Sequence, residues 1–410
     1  MSWLVPPSEL TPEQQRAVQL SPFEHRAIVG GPGSGKTQVL LHRARYLCDS
    51  QGVNPERFRI FVFTNVLKAY IRSALRDLRL PESAVSTFDL WCRDYYREHI
   101  GTRMPWNAEE HQPDFGAIRQ AVQLHAAARR VRLFDFVLVD EGQDLDDSVF
   151  AFLRNVSGHV TVCLDSKQQI YDKGGAEAAI LTQLGIRRRN INLIDAFRVC
   201  PYLVTVAATL IPDAEERAAF LNQTRQPQVE RQTPLMYVAD DFDAEKAKLA
   251  AVVRERQLKN ERIAILLPTN RQVFGFAQGL SQVGLEVEAP EQRGRGGALP
   301  AHDFDSDRPK IMSYHSAKGL TFDSVLMPRL VPQSFARVPP ERVERLLFVA
   351  ITRATNWCYF SATAGASLEA LRAKVMPLAE LGHITVLKGV GPAAAPAAAP
   401  APAGGQLDFL

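Results

Sequence analysis

Apolar residues along this chain fall into short, nearly continuous runs that polar residues separate. Such runs, rich in β-branched and aromatic residues, predict strands that are buried on both faces, as in parallel sheets. The predicted strands cover residues 26–29, 59–63, 136–139, 160–164, 263–267, 310–313, 324–327 and 357–360.

Segments of helical composition lie between these strands. Examples are residues 37–48, 67–78, 244–256 and 343–350. Strands that alternate with helices predict right-handed βαβ units and open parallel sheets, which is the α/β class. The first four strands and the last four form two groups that separate near residues 190–201, so we expect two α/β domains over 1–195 and 196–390.

Three segments depart from this alternation. Residues 94–128 are polar and helical in composition, which predicts a small helical insertion in the first domain at about 93–132. Residues 290–308 are rich in Gly, Arg, Asp and Pro and predict a mobile loop. Beyond residue 390, an Ala/Pro/Gly tract over 391–405 predicts a flexible linker before the last five residues, 406–410.

Composition fits a two-domain globular protein of the soluble class. The 410 residues are 46% hydrophobic and 23% charged. The five cysteines are scattered without metal-ligand spacing, which favours small core residues in a reducing compartment and argues against a structural zinc or iron–sulfur site. No apolar run approaches the roughly 20 residues of a membrane span and no signal-peptide pattern occurs, so we expect a cytoplasmic protein.

Charge alone does not identify a partner. The net charge of +3 is too small to indicate nucleic-acid binding. Two basic clusters, 129–132 and 187–189, are compatible either with phosphate contacts or with a solvated edge that discourages aggregation.

A glycine-rich segment follows the first predicted strand and opens a predicted helix. It matches the phosphate-loop pattern G-x-x-x-x-G-K-[ST] and reads Gly30-Gly31-Pro32-Gly33-Ser34-Gly35-Lys36-Thr37. Glycines let backbone N–H groups converge on phosphates, and the helix N-terminus adds partial positive charge. We expect Lys36 to neutralise the β- and γ-phosphates of ATP and Thr37 to ligate Mg²⁺.

An acidic pair ends the strand at 136–139. Asp140 is placed to hold Mg²⁺ through water, and Glu141 to orient and deprotonate the attacking water. An acidic pair after a strand is by itself more often a helix start. Its combination with the phosphate loop, in this order, predicts an ATP-hydrolysing site.

Further motifs give the chain a resemblance to the superfamily 1 DNA helicases of the UvrD/Rep type, over nearly all of residues 10–360. They occur in the family's order. The matching segments are Leu10-Thr11-Pro12-Glu13-Gln14-Gln15-Arg16-Ala17-Val18, the phosphate loop, Phe63-Thr64-Asn65, Ser86-Thr87-Phe88, Asp140-Glu141-Gly142-Gln143-Asp144, Asp165-Ser166-Lys167-Gln168-Gln169-Ile170-Tyr171, Phe197-Arg198, Ser313-Tyr314-His315-Ser316-Ala317-Lys318-Gly319-Leu320-Thr321-Phe322 and Val349-Ala350-Ile351-Thr352-Arg353-Ala354.

The resemblance implies two RecA-like domains that share one ATP site. Gln14 would read the adenine edge, Phe197 would stack on adenine, and Gly319 would border the nucleotide. Gln168, Arg198 and Arg353 would contact the γ-phosphate and join Lys36, Asp140 and Glu141 in catalysis. Gly30, Gly33, Ser34 and Gly35 complete the set of residues that bind ATP.

The resemblance also implies movement on single-stranded DNA, with 3′ to 5′ polarity. The residues that would contact the strand are Phe63, Thr64, Asn65, Thr87, Phe88, Tyr171 and His315. RNA remains open as the track, because backbone and stacking contacts discriminate poorly without a reader of the 2′-hydroxyl.

Several positions depart from the family pattern. Gln38 stands where an arginine often helps to sandwich adenine, Asp89 where a histidine is usual, and Thr321 where a glutamate contacts ribose. Asp172-Lys173 replace an arginine and a base-stacking tryptophan. Neither domain has room for the family's large accessory subdomains, so the sequence predicts a reduced helicase core. The alternative is an ATP-switched nucleic-acid-binding module that does not unwind duplex.

The last five residues resemble the short peptide by which bacterial replication proteins bind the sliding clamp. Gln406, Leu407, Phe409 and Leu410 would fill a hydrophobic pocket, with the order of the final two apolar residues exchanged. A frayed apolar terminus is the alternative interpretation.

Overall fold

Two parallel sheets form the framework of the protein. The computed structural model describes residues 3–31, 33–109, 111–129, 132–165, 177–187, 191–193, 199–222, 232–291, 301–365 and 368–389. Within these residues, each of the two large sheets has six strands, and every neighbouring pair of strands in them is parallel.

The first sheet has the strand order β3-β2-β6-β7-β1-β8. Its strands are β1 (Arg26–Gly30), β2 (Phe58–Val62), β3 (Val85–Thr87), β6 (Phe136–Val139), β7 (Val160–Leu164) and β8 (Ile191–Leu193), and a separate two-stranded antiparallel ribbon consists of β4 (Trp106–Asn107) and β5 (Gln112–Pro113). The helices that accompany it are α1 (Pro12–Val18), α2 (Lys36–Gln51), α3 (Asn65–Asp77), α4 (Phe88–His99), α5 (Phe115–Arg129), α6 (Asp147–Val156) and α7 (Glu177–Leu184).

The second sheet has the order β11-β10-β12-β13-β9-β14. Its strands are β9 (Leu235–Ala239), β10 (Ile263–Leu267), β11 (Lys310–Ser313), β12 (Phe322–Met327), β13 (Ala354–Thr363) and β14 (Thr385–Lys388). The helices in this half are α8 (Pro201–Ala208), α9 (Ala214–Asn222), α10 (Phe242–Leu258), α11 (Asn270–Gln282), α12 (Pro340–Ile351) and α13 (Glu369–Glu380). The α/β class with two RecA-like parallel sheets is therefore confirmed.

Alternate residues of each central strand face different cores. Ile28 of β1 and Leu266 of β10 belong to one hydrophobic cluster that includes residues of both halves. Val29 packs in a cluster confined to the first half, and Ile265 in one confined to the second. The period of two along a strand thus buries both faces of each sheet and joins the sheets through the shared cluster.

The segment predicted as an insertion in the first domain is mainly helical. It consists of α4, the β4–β5 ribbon and α5, and α4 packs against α5. Cys92 of α4 and Val122 of α5 are fully buried in the first half's own cluster. These helices therefore contribute to the core of the first half.

The predicted loop at 290–308 falls partly outside the described residues. Its described part is tied to the second sheet, because Ser306 Oγ donates to Glu288 Oε1 at 2.7 Å and Lys310 Nζ donates to Ser306 O at 2.9 Å. The domain boundary at 195/196, the linker and the last five residues lie outside the described residues, and the domain limits stay a prediction. All five cysteines are buried, as expected.

Candidate functional site

The phosphate loop connects β1 to α2 at the carboxyl edge of the first sheet. Lys36, the first residue of α2, is 6% exposed and forms an ion pair of 3.1 Å with Asp165, which follows β7. Its Nζ also donates to the carbonyls of Gly30 and Gly31, each at 2.9 Å. Burial alone would lower the pKa of Lys36, but the nearby carboxylates, Asp165 above all, hold it above its ordinary value.

Two glycines of this loop have no space for a side chain. A Cβ on Gly30 would meet Ser34 Oγ at 2.4 Å, and one on Gly35 would meet Gln14 Nε2 at 2.4 Å. Gly35 also has φ +82°, which favours glycine. The buried Ser34 hydroxyl has no hydrogen-bond partner among the described residues. A tight backbone cradle with a spare hydroxyl at a helix N-terminus fits a phosphate group.

Oxygen atoms suited to a divalent cation lie beside the loop. Thr37 Oγ1 donates to Asp140 Oδ2 at 2.7 Å, and Asp140 is 1% exposed. Burial, and then the neighbouring Glu141, raise the pKa of Asp140 to about 6. Mg²⁺ is usually held by one or two protein oxygens together with water and substrate phosphates, and this hydroxyl–carboxylate pair fits that requirement.

Glu141 has an unusual backbone. It adopts the left-handed conformation at φ 51° and ψ 44°, which is uncommon for a residue other than glycine and is typical of functional sites. Gln143 Nε2 donates to Glu141 Oε2 at 2.5 Å, while Gln143 Oε1 accepts from the backbone N of Asp165 at 2.9 Å. Burial would raise the pKa of Glu141, but Lys318, Lys36 and Arg353 outweigh it and lower the pKa, so the carboxylate stays ionised.

Arg353 approaches the same carboxylates from the second half of the chain. It lies between α12 and β13 and is 4% exposed. Its guanidinium donates to Val349 O at 3.0 Å and to Leu320 O at 3.4 Å. Burial lowers the pKa of Arg353, and the charges of Glu141, Asp165 and Asp140 act against that shift. The two halves therefore meet where Arg353 faces Asp140, Glu141 and Asp165.

A buried ion pair also crosses between the halves. Lys318, between β11 and β12, is 2% exposed, and its Nζ lies 2.7 Å from Asp144 Oδ2 and 3.9 Å from Glu141 Oε2. Burial raises the pKa of Asp144 to about 7, and Lys318 opposes that shift. Both residues lie within the motifs, but no local pattern pairs them.

Gln14 is part of a helix cap. Its backbone N donates to Thr11 Oγ1 at 3.2 Å, and its side-chain Oε1 accepts from Thr11 N at 3.0 Å, which completes a capping box for α1. Gln14 Nε2 donates to Ser34 O at 3.0 Å. The amide therefore joins α1 to the phosphate loop, and its reading of adenine stays a prediction.

A single cleft of about 180 Å³ connects these features. On the first half it is bordered by the phosphate loop, Glu141 and the segment before α1. On the second half it is bordered by residues next to the amino ends of strands, since Arg262 precedes β10, Thr321 precedes β12 and Arg353 precedes β13. The cleft thus lies between the carboxyl edge of the first sheet and the amino edge of the second. Its lining residues are Trp3, Val5, Glu9, Thr11, Gln14, Gly33, Gly35, Lys36, Thr37, Gln38, Tyr70, Glu141, Val199, Arg262, Gly319, Thr321, Thr352, Arg353 and Thr355.

The residues predicted to contact nucleic acid follow strand ends. Thr64 and Thr87 cap α3 and α4, because their hydroxyls accept from Leu67 N at 3.0 Å and Leu90 N at 3.3 Å. Phe63 and Asn65 flank Thr64, with Asn65 exposed, and His315 follows β11 and is half-buried. Phe88 is 2% exposed and packs edge-on against Phe61, so its ring belongs to the core and is not accessible to a base.

Other predicted residues lie outside the described part of the chain. They are Gln168, Tyr171, Asp172, Lys173, Phe197 and Arg198, and the tail residues Gln406, Leu407, Phe409 and Leu410.

Two departures from the family pattern have structural partners. Gln38 Nε2 donates to Trp3 O at 2.9 Å, and its Oε1 accepts from Val5 N at 3.1 Å, so the amide holds the segment before α1 against α2. Asp89 lies 3.5 Å from Arg119, which offsets part of its negative charge.

Sequence reasoning missed Trp3, Tyr70 and Arg262 as lining residues. None lies in a recognisable motif, and Arg262 pairs with Asp323 across 61 positions of sequence. No local pattern could have identified them.

Comparison with known proteins agrees with this architecture. Residues 10–131 match the UvrD/REP helicase N-terminal domain. A probable DNA helicase of Mycoplasma pneumoniae is 19% identical over 92% of this chain and 88% of its own length. A probable DNA helicase II homolog of Mycoplasma capricolum is 34% identical over 23% of this chain, a match that spans 14% of the relative's length.

A solved structure is also similar in part. The C-terminal domain of a possible DNA helicase from Lactobacillus plantarum matches with a TM-score of 0.35 and 16% identity, over 47% of this chain and 99% of that one.

Two parallel sheets that share a phosphate-loop cleft define the class of two-domain RecA-like nucleotide-binding proteins. Within that class, the domain match over residues 10–131 and the relatives make the chain similar to the UvrD/Rep-like helicases of superfamily 1. In the described ranges, no helix combines the length and the apolar character that a membrane span requires.

Proposed function

We propose that this chain is an ATP-dependent DNA helicase or translocase that couples ATP hydrolysis to movement on single-stranded DNA, with the 3′ to 5′ polarity implied by its family. The observation that carries the proposal is the shared cleft. Lys36, Thr37 and Glu141 line the cleft from the first half, with Asp140 bonded to Thr37. Arg353 lines it from the second half, and Lys318 lies close to Glu141. A nucleotide held by both halves can control their separation.

Each residue has a role that its surroundings support. Lys36 would exchange its contacts with the Gly30 and Gly31 carbonyls for phosphate oxygens. Thr37 and Asp140 would hold Mg²⁺. Glu141, kept ionised by the surrounding cations, would orient a water molecule and take its proton.

The transferable phosphoryl group comes from ATP, and Mg²⁺ supplies charge neutralisation on its oxygens. Arg353 would stabilise the negative charge that develops there, because its guanidinium is buried and already oriented by the carbonyls of Val349 and Leu320. Gln168 and Arg198 are proposed as further contacts of the γ-phosphate, and Phe197 as a contact of the base.

Single-stranded DNA is the proposed track. Thr64 and Thr87 begin helices at the carboxyl edge of the first sheet, where backbone N–H groups and side-chain amides such as that of Asn65 suit phosphate contacts. Phe63, Tyr171 and His315 are the remaining candidates, whereas Phe88 would contribute through its backbone. RNA is an outcome that the assays below distinguish.

The first test is the rate of ATP hydrolysis with and without single-stranded DNA. We expect DNA to stimulate the rate. Lys36→Ala and Arg353→Ala should each lower it by about 100-fold or more, because each removes a charge that the transition state requires. Arg337→Ala, on an exposed arginine outside the cleft, is the matched control and should behave like the wild type. A rate that is unaffected by DNA and by these substitutions would refute the proposal.

Strand displacement from a 3′-tailed duplex separates the possible activities. Displacement that requires hydrolysable ATP and intact Lys36 supports a helicase. Stimulated hydrolysis without displacement supports a translocase or the ATP-switched binding module. If RNA stimulated hydrolysis more strongly than DNA, RNA would be the nucleic acid on which the protein moves.

The sliding clamp is proposed as a partner on the strength of the last five residues alone. Deletion of 406–410 should abolish capture of this chain by an immobilised bacterial clamp and leave ATP hydrolysis unchanged. Retained capture would contradict this part of the proposal.

A further inference from the structure

The cleft has a second end, away from the phosphate loop, whose lining is aromatic and cationic. Among the described lining residues, Lys36, Arg262 and Arg353 carry a permanent positive charge. Lys36 and Arg353 act on the carboxylates Asp140 and Glu141. Arg262 has different partners and borders the end lined by Trp3, Val5 and Tyr70.

The guanidinium of Arg262 is fixed by a bidentate ion pair. Its Nε lies 3.1 Å from Asp323 Oδ2 and its Nη2 lies 3.1 Å from Asp323 Oδ1. Asp323 also accepts from the backbone N of Arg262 at 2.8 Å and from Thr355 Oγ1 at 3.4 Å. Because the carboxylate of Asp323 holds one edge of the planar guanidinium group, that group keeps a defined orientation. The side chain is nevertheless 44% exposed, so part of it remains accessible from the cleft.

Tyr70 of α3 meets Arg262 from the first half of the chain. Its hydroxyl accepts a hydrogen bond from Arg262, and the residue is 4% exposed. The Tyr70 ring stacks on Trp3 at 4.0 Å between centroids and 18° between planes. Trp3 Nε1 donates to Ser73 Oγ at 3.0 Å and to Tyr70 O at 3.2 Å, which fixes this wall.

Among the described lining residues, the first half supplies no guanidinium group. Gln38, which points to the same region from α2, uses both ends of its amide on the backbone of Trp3 and Val5. Among the described residues, the guanidinium groups that line the cleft therefore come from the second half of the chain.

We propose that Arg262 binds the base of the nucleotide by laying its guanidinium against the ring, with Trp3 and Tyr70 forming the wall behind it. This inference rests on the proposed function, because it assumes that the cleft binds ATP. A nucleotide with its phosphates on the Lys36 loop directs its base away from that loop, toward this end. A guanidinium stacks favourably on flat aromatic rings, and it does so better than an ammonium of the same charge. Binding of the base therefore involves a residue of the second sheet, Arg262. Binding of the phosphates alone does not involve Arg262.

The test compares two ligands by titration calorimetry, each with excess Mg²⁺: ATP, and inorganic tripolyphosphate, which has the same chain of phosphates and no base. Arg262→Ala should weaken ATP binding about tenfold, the effect of a partly desolvated cation–ring contact, and leave tripolyphosphate binding within about twofold. Arg262→Lys keeps a cation beside Asp323 and should lose nearly as much ATP affinity.

Arg308→Ala is the matched control. Arg308 is also an ion-paired arginine of the second half, 3.4 Å from Glu286 and 52% exposed, and it lies outside the cleft lining. This substitution should change neither affinity. The melting temperature of each variant separates loss of binding from loss of folding, and Arg262→Lys provides the result if Arg262→Ala does not fold.

Every other outcome overturns the inference. Unchanged ATP affinity in Arg262→Ala, or equal weakening of both ligands, assigns Arg262 a role other than base binding. Full ATP affinity in Arg262→Lys would mean that charge suffices without a planar group. If the wild type binds neither ligand, the proposed function itself fails, and that result is distinct from a loss confined to the variants.

Discussion

Charged side chains at the candidate site are buried in pairs. Lys36 with Asp165, and Lys318 with Asp144, each join a cation and a carboxylate that are at most 6% exposed. An isolated charge in such surroundings would cost several kcal/mol, and a partner in good geometry offsets much of that cost. For Asp144, the same burial also raises the pKa of the carboxyl group.

Asp144 gives a prediction about stability and pH. Burial raises its pKa from the ordinary 3.8 to about 7, so between these values the folded protein holds a proton that the unfolded chain releases. This contribution to the free energy of unfolding is complete below pH 3.8 and is lost as the pH rises through about 7. Thermal unfolding should be measured from pH 5.5 to 8.5, a window of roughly 1.5 units on each side of that midpoint. The wild type should show this pH-dependent loss of stability, and Asp144→Asn should not.

The control for this effect is Asp305→Asn. Asp305 forms an exposed pair with Arg76 between the same halves of the chain, at 2.5 Å, and exposed pairs contribute only about 0–1 kcal/mol. Its curve of melting temperature against pH should parallel that of the wild type. Parallel curves for wild type and Asp144→Asn would mean that Asp144 titrates normally.

The part of the candidate site that the first sheet supplies was predictable at the residue scale because its signals are local. Gly30 to Thr37, and Asp140 with Glu141, are contiguous motifs in which spacing reports chemistry. The pair between Arg262 and Asp323, and that between Lys318 and Asp144, join residues far apart in sequence. Arginine, lysine and aspartate are common on surfaces, so nothing short of the fold identifies such pairs.

At the scale of elements, one buried arginine connects helices α1 and α2 with strand β7 through its hydrogen bonds. Arg43 of α2 is fully buried. Its guanidinium donates to the carbonyls of Val18 at 2.8 Å and Leu20 at 2.7 Å, at the end of α1, and to Thr161 Oγ1 of β7 at 2.8 Å. Because α1 carries Gln14 and α2 begins at Lys36, this residue also fixes the base of the phosphate loop.

Arg43→Met should therefore lower the free energy of unfolding by about 3 kcal/mol, since it leaves buried carbonyls without donors while keeping similar volume. Urea denaturation followed by circular dichroism measures this value. Arg45→Met, on the same helix, is the control, because Arg45 is 39% exposed and its hydrogen-bond partners among the described residues are Asp49 and the Leu78 carbonyl. It should cost less than about 1 kcal/mol, and an equal loss in both variants would contradict the role assigned to Arg43.

The strands that the apolar pattern predicted are those in which a run of buried residues is long. Strands β1, β6, β7 and β10 are buried over most or all of their length, and each was located within one residue. In the two large sheets, the pattern missed β3, β8, β9 and β14. Three of these are edge strands, and β14 is largely exposed, so few of their positions need to be apolar. The fourth, β9, alternates between buried and half-buried residues.

At the scale of the whole molecule, the shared hydrophobic cluster makes the two sheets one structural unit. Leu40 and Ile28 from the first half and Leu266 and Phe360 from the second belong to it. By contrast, the exposed pair of Arg76 and Asp305 adds little. Separation of the sheets would expose part of a core, and the halves should therefore unfold together.

This coupling predicts that a destabilising substitution in one half also lowers the stability of the other half. Leu280, in α11, is fully buried in the cluster confined to the second half. Leu280→Ala should lower the free energy of unfolding by about 2–5 kcal/mol. Hydrogen exchange in graded urea, followed by mass spectrometry, should report the same lowered midpoint for peptides from β1 and from β10. Leu258→Ala removes a leucine that is 86% exposed and should change neither midpoint. If the β1 midpoint stayed at the wild-type value while that of β10 fell, the halves would be independent, and a nucleotide could link them only through the cleft.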